Sequence, residues 1–98
     1  MRNAPDAMNM KSEADSNEFS ERADLSKIPV GETAVILDLK LEGKLRDYVM
    51  RFGFVPGANI AVLRKVPLSG MRVYQVGQSQ IALRPETADA IIVRRNDG

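Results

Sequence analysis

The 98-residue sequence contains no cysteine and no histidine. The chain therefore has no thiol nucleophile, no imidazole base and none of the usual ligands for a soft metal ion. Carboxylates remain, but those of the central and C-terminal parts are scattered singly, without the spacing of a calcium loop: Asp38, Glu42, Asp47, Glu86 and Asp89. We predict no catalytic residue, no tight metal site and no tightly bound cofactor, and we do not expect an enzyme.

Long apolar runs and a strong charge bias are also missing. No stretch approaches the roughly 20 apolar residues that span a bilayer, and 14 basic side chains balance 13 acidic ones. Residues 1–24 hold few apolar groups and no apolar run that could serve as a secretory signal. We expect a flexible polar tail at 1–24, a single folded domain at 25–98 and a cytoplasmic protein.

The segment 25–98 has the patterns of a mainly β fold. Runs of branched and aromatic residues separated by turn residues predict five short strands. These strands are predicted at 34–39, 60–66, 71–76, 79–83 and 90–94. Five such strands with a single proper helix favour a small, partly open β-barrel.

A change of period over residues 43–52 predicts the helix. Apolar residues recur there at three- and four-residue spacing, and they form a stripe of Leu41, Leu45, Tyr48, Val49 and Phe52. A helix this short is marginal by itself, so we expect its stripe to dock on the sheet. A further helical turn is predicted near 85–89, because Pro85 suits the first position of a helix.

Glycine and proline predict an abrupt change of direction after the helix. Gly53 is placed to end the helix in a left-handed conformation, with Phe54 then packing back against Val49. Pro56 and Gly57 suit the two central positions of a type II turn. We interpret Gly53, Pro56 and Gly57 as a structural motif and not as a phosphate-binding loop, since no phosphate-loop spacing surrounds them.

Two surfaces are candidates for binding. The first is the predicted loop of Pro67, Leu68, Ser69, Gly70 and Met71, whose Leu68 either contacts a partner or folds back to plug the barrel end. The second is a basic face for nucleic acid, formed if the strands bring together Arg51, Arg64, Lys65, Arg72, Arg84, Arg94 and Arg95. The second has weaker support, because few aromatic residues accompany the basic ones.

The order of motifs resembles the ferrous-iron transport protein A (FeoA) family. The likeness rests on V-G-E-x-A-V-I at 30–36, L-R-x-x-V-x-x-F-G-F-V-P-G at 45–57, I-A-V-L-R at 60–64, P-L-S-G at 67–70 and I-A-L-R-P-E-T-A-D-A-I-I-V at 81–93. The family's G-x-x-P-G element matches Gly53, Pro56 and Gly57. Its P-L-G-G-P loop corresponds to residues 67–71, where Ser69 replaces a glycine and Met71 replaces a proline.

This resemblance implies an SH3-like barrel and a role in iron uptake. It implies a non-catalytic cytosolic protein that binds and modulates an FeoB-type transporter at its GTPase region, and that reaches the inner membrane through this partner alone. Loop residues 67–71 would then contact the partner, no nucleic acid would be bound, and weak binding of Fe(II) or another divalent metal is left open. The alternatives are a nucleic-acid-binding barrel and a metal-sensing module like the C-terminal domain of iron-dependent repressors.

Overall fold

Six antiparallel strands form one sheet in the computed structural model, which describes residues 22–96. The strands are β1 (Arg22–Asp24), β2 (Thr33–Leu39), β3 (Asn59–Lys65), β4 (Arg72–Val76), β5 (Ser79–Leu83) and β6 (Ile91–Arg95). The α-helices are α1 (Gly43–Arg51) and α2 (Pro85–Asp89), and a 3-10 turn spans Leu25–Lys27. The predicted mainly β fold with one proper helix is confirmed, and the predicted turn near 85–89 is α2.

The order of strands in the sheet is β1-β6-β2-β3-β4-β5. Strand β1 adds a sixth strand to the five predicted from the sequence, and it lies before the predicted domain boundary at residue 25. It pairs with β6 through main-chain partners such as Ala23 and Val93. Main-chain pairing does not require apolar side chains, so the polar composition of this segment concealed the strand. The remainder of the predicted tail, residues 1–21, lies outside the described residues.

The core consists of apolar side chains from strands β2 to β6, from the helices and from the connecting segments, and Ala23 of β1 packs against it. Its fully buried members include Leu25 and Ile28 from the segment between β1 and β2, Phe54 after α1, and Ile91 and Val93 on β6. Thr87 is the buried polar residue among those described. Burial of apolar area is therefore the main stabilising contribution to this small fold.

Strand β2 departs from simple alternation. Alternation would place Ala34, Ile36 and Asp38 on one face, yet the buried residues are Ala34, Ile36 and Leu39. The pairing register with β6 shifts between Ile36 and Asp38, which indicates a β-bulge. The extra residue turns the strand by one position, so Leu39 faces the core and Asp38 faces solvent.

Helix α1 docks less completely than its apolar stripe predicts. Val49 is fully buried, whereas Leu45 and Tyr48 are each 42% exposed. Tyr48 instead packs edge-on against Phe52, with ring centroids 5.1 Å apart. The predicted docking of the whole stripe is therefore wrong for Leu45 and Tyr48, because their side of the helix faces solvent. The other members of the stripe, Leu41, Val49 and Phe52, lie in the core or pack against it.

The predicted geometry after α1 is confirmed. Gly53 has a φ of 96°, and the amide of Phe54 donates to the carbonyl of Val49 at 3.1 Å, as in a helix ended by a left-handed residue. Gly57 has a φ of 94°, and the amide of Ala58 donates to the carbonyl of Val55 at 3.0 Å, which closes the turn. This turn brings the chain into β3, which leads to the loop at residues 67–71.

Candidate functional site

The predicted contact loop connects β3 to β4 as a closed turn. The amide of Val66 donates to the carbonyl of Met71 at 2.9 Å, and this hydrogen bond joins the two ends of the loop. Pro67, Leu68, Ser69 and Gly70 are exposed, and Met71 is half-buried. The loop is therefore a protruding element held at its base by the β3–β4 pairing.

Ser69 stabilises this loop through its side chain. Its hydroxyl donates to the carbonyl of Val66 at 2.9 Å and accepts from the amide of Met71 at 3.0 Å. The second bond requires an N–H at position 71, which a proline could not supply. Ser69 and Met71 are the two departures from the family's loop pattern, and they act together. A glycine at position 69 would have no hydroxyl and a proline at position 71 would have no N–H, so only this pair of residues can form the hydrogen bond.

Leu68 points away from the protein. Its accessible surface is 107% of the reference value for an exposed leucine, so it buries no surface in the fold. The alternative in which it plugs the barrel end is therefore wrong. Its φ of 63° lies in the left-handed region, which a branched side chain enters at a cost of roughly 1 kcal/mol. The apolar side chain of Leu68 is therefore held in solvent at a backbone cost and takes no part in the core.

Two cavities lie at the base of this loop. One has a volume of about 320 Å³ and is lined mainly by residues of the loop, namely Val66, Pro67, Leu68, Gly70 and Met71. The other, of about 240 Å³, reaches toward the 3-10 turn and α2. Both are lined by Lys65, Gly70 and Arg72, so they adjoin one another where β3 ends and β4 begins.

Arg72 is the central polar residue of this region. Its Nη1 and Nη2 donate to the carbonyls of Ile28 and Leu25 at 2.7 and 2.9 Å, and its Nε donates to the hydroxyl of Tyr74 at 3.0 Å. The guanidinium carbon also lies 5.3 Å from the centroid of the Tyr74 ring. Arg72 therefore connects the sheet to the 3-10 turn through neutral acceptors.

Tyr74 is almost completely buried beneath Arg72, with 1% of its surface exposed. Burial raises the pKa of its phenol above the ordinary value of 10.0, and the charge of Asp89 acts in the same direction. The hydrogen bond from Arg72 and the charge of Arg72 act in the opposite direction. The phenol is consequently protonated at neutral pH.

The structure disperses the predicted basic face. Lys65 and Arg72 are register partners and line the two cavities, whereas Arg95 forms an ion pair with Glu32 at 2.8 Å on another part of the sheet. Of the aromatic residues that could stack on bases, Phe54 and Tyr74 are buried. The pairing of Lys65 with Arg72 was not predicted, because it depends on the register between β3 and β4 and on the bulge in that pair.

No metal centre is formed by the residues described. Over residues 22–96, no three side chains of the types Asp, Glu, His and Cys lie close enough together to hold an ion. No helix of this range is long and apolar enough to cross a membrane.

Comparison with known proteins relates the chain to iron transport. A family model described as the FeoA domain matches residues 24–95. A curated relative, the Fe(2+) transport protein A/Fe(2+) transporter FeoB fusion protein of Porphyromonas gingivalis, is 33% identical over 69 residues. The aligned stretch is 70% of this chain but only 8% of that relative, so the chain spans a small part of the fusion protein.

Solved structures show the same fold. Iron(II) transport protein A from Clostridium thermocellum is 35% identical, with a TM-score of 0.70 over 76% of this chain and 46% of that one. FeoA of Stenotrophomonas maltophilia, solved in complex with zinc and described as a prokaryotic SH3 domain protein, is 29% identical. Its TM-score is 0.59, over 70% of this chain and 86% of that one. The predicted SH3-like barrel is confirmed.

Proposed function

Because the chain belongs to the FeoA domain family, we propose that it is a non-catalytic accessory protein of ferrous-iron uptake that binds an FeoB-type transporter. It works in the cytoplasm, reaches the inner membrane through this partner and modulates the transporter's GTPase region. The relative from Porphyromonas gingivalis supports the pairing, since it joins an FeoA part and an FeoB part in one chain. A covalent link of this kind keeps two interacting modules at high effective concentration.

The observation that carries the proposal is the fully exposed Leu68. A protein interface is usually organised around a few apolar or aromatic side chains that enter pockets on the partner. Leu68 points outward from a loop that is closed by the hydrogen bond between Val66 and Met71. The side chain of Ser69 adds two hydrogen bonds within the loop. These hydrogen bonds already restrict the loop, so it loses less entropy when a partner binds.

The test is the affinity of the full chain for the full-length transporter in nanodiscs, with iron uptake in cells as the second measurement. Leu68→Asp is expected to weaken binding about tenfold or more, as loss of a central interface residue does. Met71→Asp, at the half-buried base of the loop, should act in the same direction. Both variants should restore iron uptake less well than the parent chain.

Leu45→Asp is the matched control. It introduces the same change at another exposed leucine, on α1 and away from the loop. Its affinity should stay close to that of the parent chain. If Leu68→Asp and Met71→Asp bind and restore uptake like the parent, the loop is not the contact, and a selective loss in Leu45→Asp would assign the interface to α1 instead.

A further inference from the structure

The adjoining cavities at the base of the loop are lined by polar side chains whose hydrogen-bonding capacity the described residues do not fully use. They share Lys65 and Arg72, and the smaller one is also lined by Tyr74 and Ser26. Each of these residues bears a hydrogen-bond donor on its side chain. The chemistry of the cavities therefore depends on which donors and charges are already satisfied within the protein.

Arg72 carries a half-buried positive charge that lacks an ion-pair partner within the described part of the chain. All three of its described hydrogen bonds go to neutral acceptors, the carbonyls of Leu25 and Ile28 and the hydroxyl of Tyr74. No carboxylate of residues 22–96 forms an ion pair with it. Each terminal nitrogen retains a second N–H for which the described residues provide no acceptor. A partly desolvated guanidinium with free N–H groups and no ion-pair partner is stabilised when an anion binds beside it.

Tyr74 adds a buried donor to the same place. Its hydroxyl oxygen accepts from Arg72, but its own proton has no acceptor among the residues that the structure describes. A buried hydroxyl left without an acceptor costs about 1–3 kcal/mol. An oxyanion in the smaller cavity would accept this proton while contacting Arg72.

The charges around the cavity favour an anion. Lys65 lies opposite Arg72 in the β3–β4 pairing, is exposed and has no ion-pair partner in the described range. The opposing charge is Asp89, which influences Tyr74 and accepts a hydrogen bond from the hydroxyl of Ser26. Two cations against one carboxylate, itself engaged by Ser26, leave a positive potential at the cavity mouth.

We propose that this cleft, lined by Lys65, Arg72 and Tyr74, binds the carboxylate of an acidic polypeptide segment of the partner protein. The larger cavity extends the site along apolar atoms of Val66, Pro67 and Met71 toward Leu68. A free phosphate ion would make no favourable contact with these apolar atoms. A peptide with an apolar residue beside an acidic one would fit both the cationic cleft and the apolar cavity. The inference rests on the proposed function, because it names the partner's chemistry at the same loop.

A capped tetrapeptide tests the site without the transporter. It has leucine at both ends and two glutamates between them, and its counterpart has two glutamines. Backbone amide shifts of the ¹⁵N-labelled full chain are recorded during titration with each peptide and with inorganic phosphate. The acidic peptide should shift Ser26, Gly70 and Arg72, and the glutamine peptide should not. Equal shifts with the glutamine peptide, or equally strong binding of phosphate, would overturn the proposal.

Lys65 and its neighbour Arg64 supply matched charge reversals. Both are exposed on β3, but Arg64 lines neither cavity. Lys65→Glu is expected to weaken binding of the acidic peptide about tenfold or more, since it places like charges together. Arg64→Glu should change it less than about twofold, because exposed charges outside the site are screened. If both variants lost the same affinity for the acidic peptide, the loss would come from the change in net charge alone, and the proposal would be overturned.

Tyr74→Phe tests the buried donor separately. It removes the hydroxyl while keeping the ring that fills the core, and the melting temperature reports whether the fold is retained. Affinity for the acidic peptide should fall severalfold, as expected for loss of a hydrogen bond to a charged group. A folded Tyr74→Phe variant with the parent's affinity would remove Tyr74 from the site and overturn the assignment of this cleft.

Transporter binding separates the two proposals. If the acidic peptide binds the cleft but the chain does not bind the transporter, the cleft stands and the proposed function fails. If the chain binds the transporter through Leu68 while Lys65→Glu has no effect on either ligand, the proposed function stands and the cleft fails.

Discussion

At the residue scale, the loop between β3 and β4 is shaped by one backbone angle and one hydroxyl. Leu68 is the non-glycine residue with a positive φ among those described, and the two hydrogen bonds of Ser69 offset part of the strain. Because Leu68 buries no surface in the fold, its apolar side chain contributes nothing to folding. These properties of Leu68 are the ones that the proposed contact with a partner requires.

Gly53 and Gly57 lead to a prediction at this scale. Both have a φ near 95°, so alanine at either position enters the left-handed region at a cost of roughly 1–2 kcal/mol. At Gly53 an added Cβ would also lie 3.3 Å from Cγ1 of Val76, whereas at Gly57 it would meet open space. Gly53→Ala should therefore lower the free energy of unfolding more than Gly57→Ala, as measured by urea denaturation. Equal losses would show that the contact with Val76 relaxes freely.

At the element scale, α1 is attached to the barrel by its last turn. Val49 is fully buried and the helix ends at the Gly53 cap, while Leu45 and Tyr48 on the preceding turns remain 42% exposed. A nine-residue helix has little stability of its own. Its position therefore depends on Val49 and on the hydrogen bonds that end it, and not on its complete apolar stripe.

Truncation of the helix side chains checks this attachment. Val49→Ala deletes buried carbon atoms and leaves a cavity, so it should lower the free energy of unfolding by about 2 kcal/mol. Leu45→Ala removes a half-exposed side chain at a position where alanine favours helix, and it should change stability by about 0.5 kcal/mol or less. Chemical denaturation of the two variants beside the parent chain measures both effects. A loss at Leu45 as large as that at Val49 would contradict the docking geometry.

At the scale of the whole molecule, apolar burial outweighs charge. The ion pair of Arg95 with Glu32 has both side chains nearly half exposed, so it contributes at most about 1 kcal/mol. The core is lined by apolar residues, and Tyr74 is the buried residue among those described whose pKa departs from its ordinary value. The pH dependence of folding that arises from burial is therefore expected at high pH.

The sign of that dependence follows from the raised pKa of Tyr74. Well below pH 10 the phenol is protonated in both the folded and the unfolded chain, so its contribution to stability is constant. As the pH rises past 10, the unfolded chain releases the proton first, and the free energy of unfolding falls until the pH passes the pKa of the folded state. Urea denaturation between pH 8 and about 11 measures this decline.

Tyr74→Phe isolates the effect, because the two proteins share every other ionisable group. The parent chain should lose stability relative to Tyr74→Phe as the pH is raised above 10. A constant difference between the two proteins over this range would show that the phenol of Tyr74 ionises equally easily in the folded and unfolded states.

The sequence by itself determined the local features of this protein. The period of apolar residues predicted α1, glycine and proline predicted the cap at Gly53 and the turn at Gly57, and the ordered motifs predicted the FeoA family with its SH3-like barrel. These features depend on neighbours within a few positions along the chain, where residue spacing and backbone preference are directly visible.

Only the tertiary structure decided which residues meet. The pairing of β1 with β6, the bulge that turns Leu39 inward and the cleft of Lys65, Arg72 and Tyr74 all depend on strand register. Register joins positions far apart in the chain, and a shift of one residue exchanges the buried and exposed faces of a strand. The physical reason is that propensity is a local quantity, whereas burial and unpaired donors exist only after distant strands have come together.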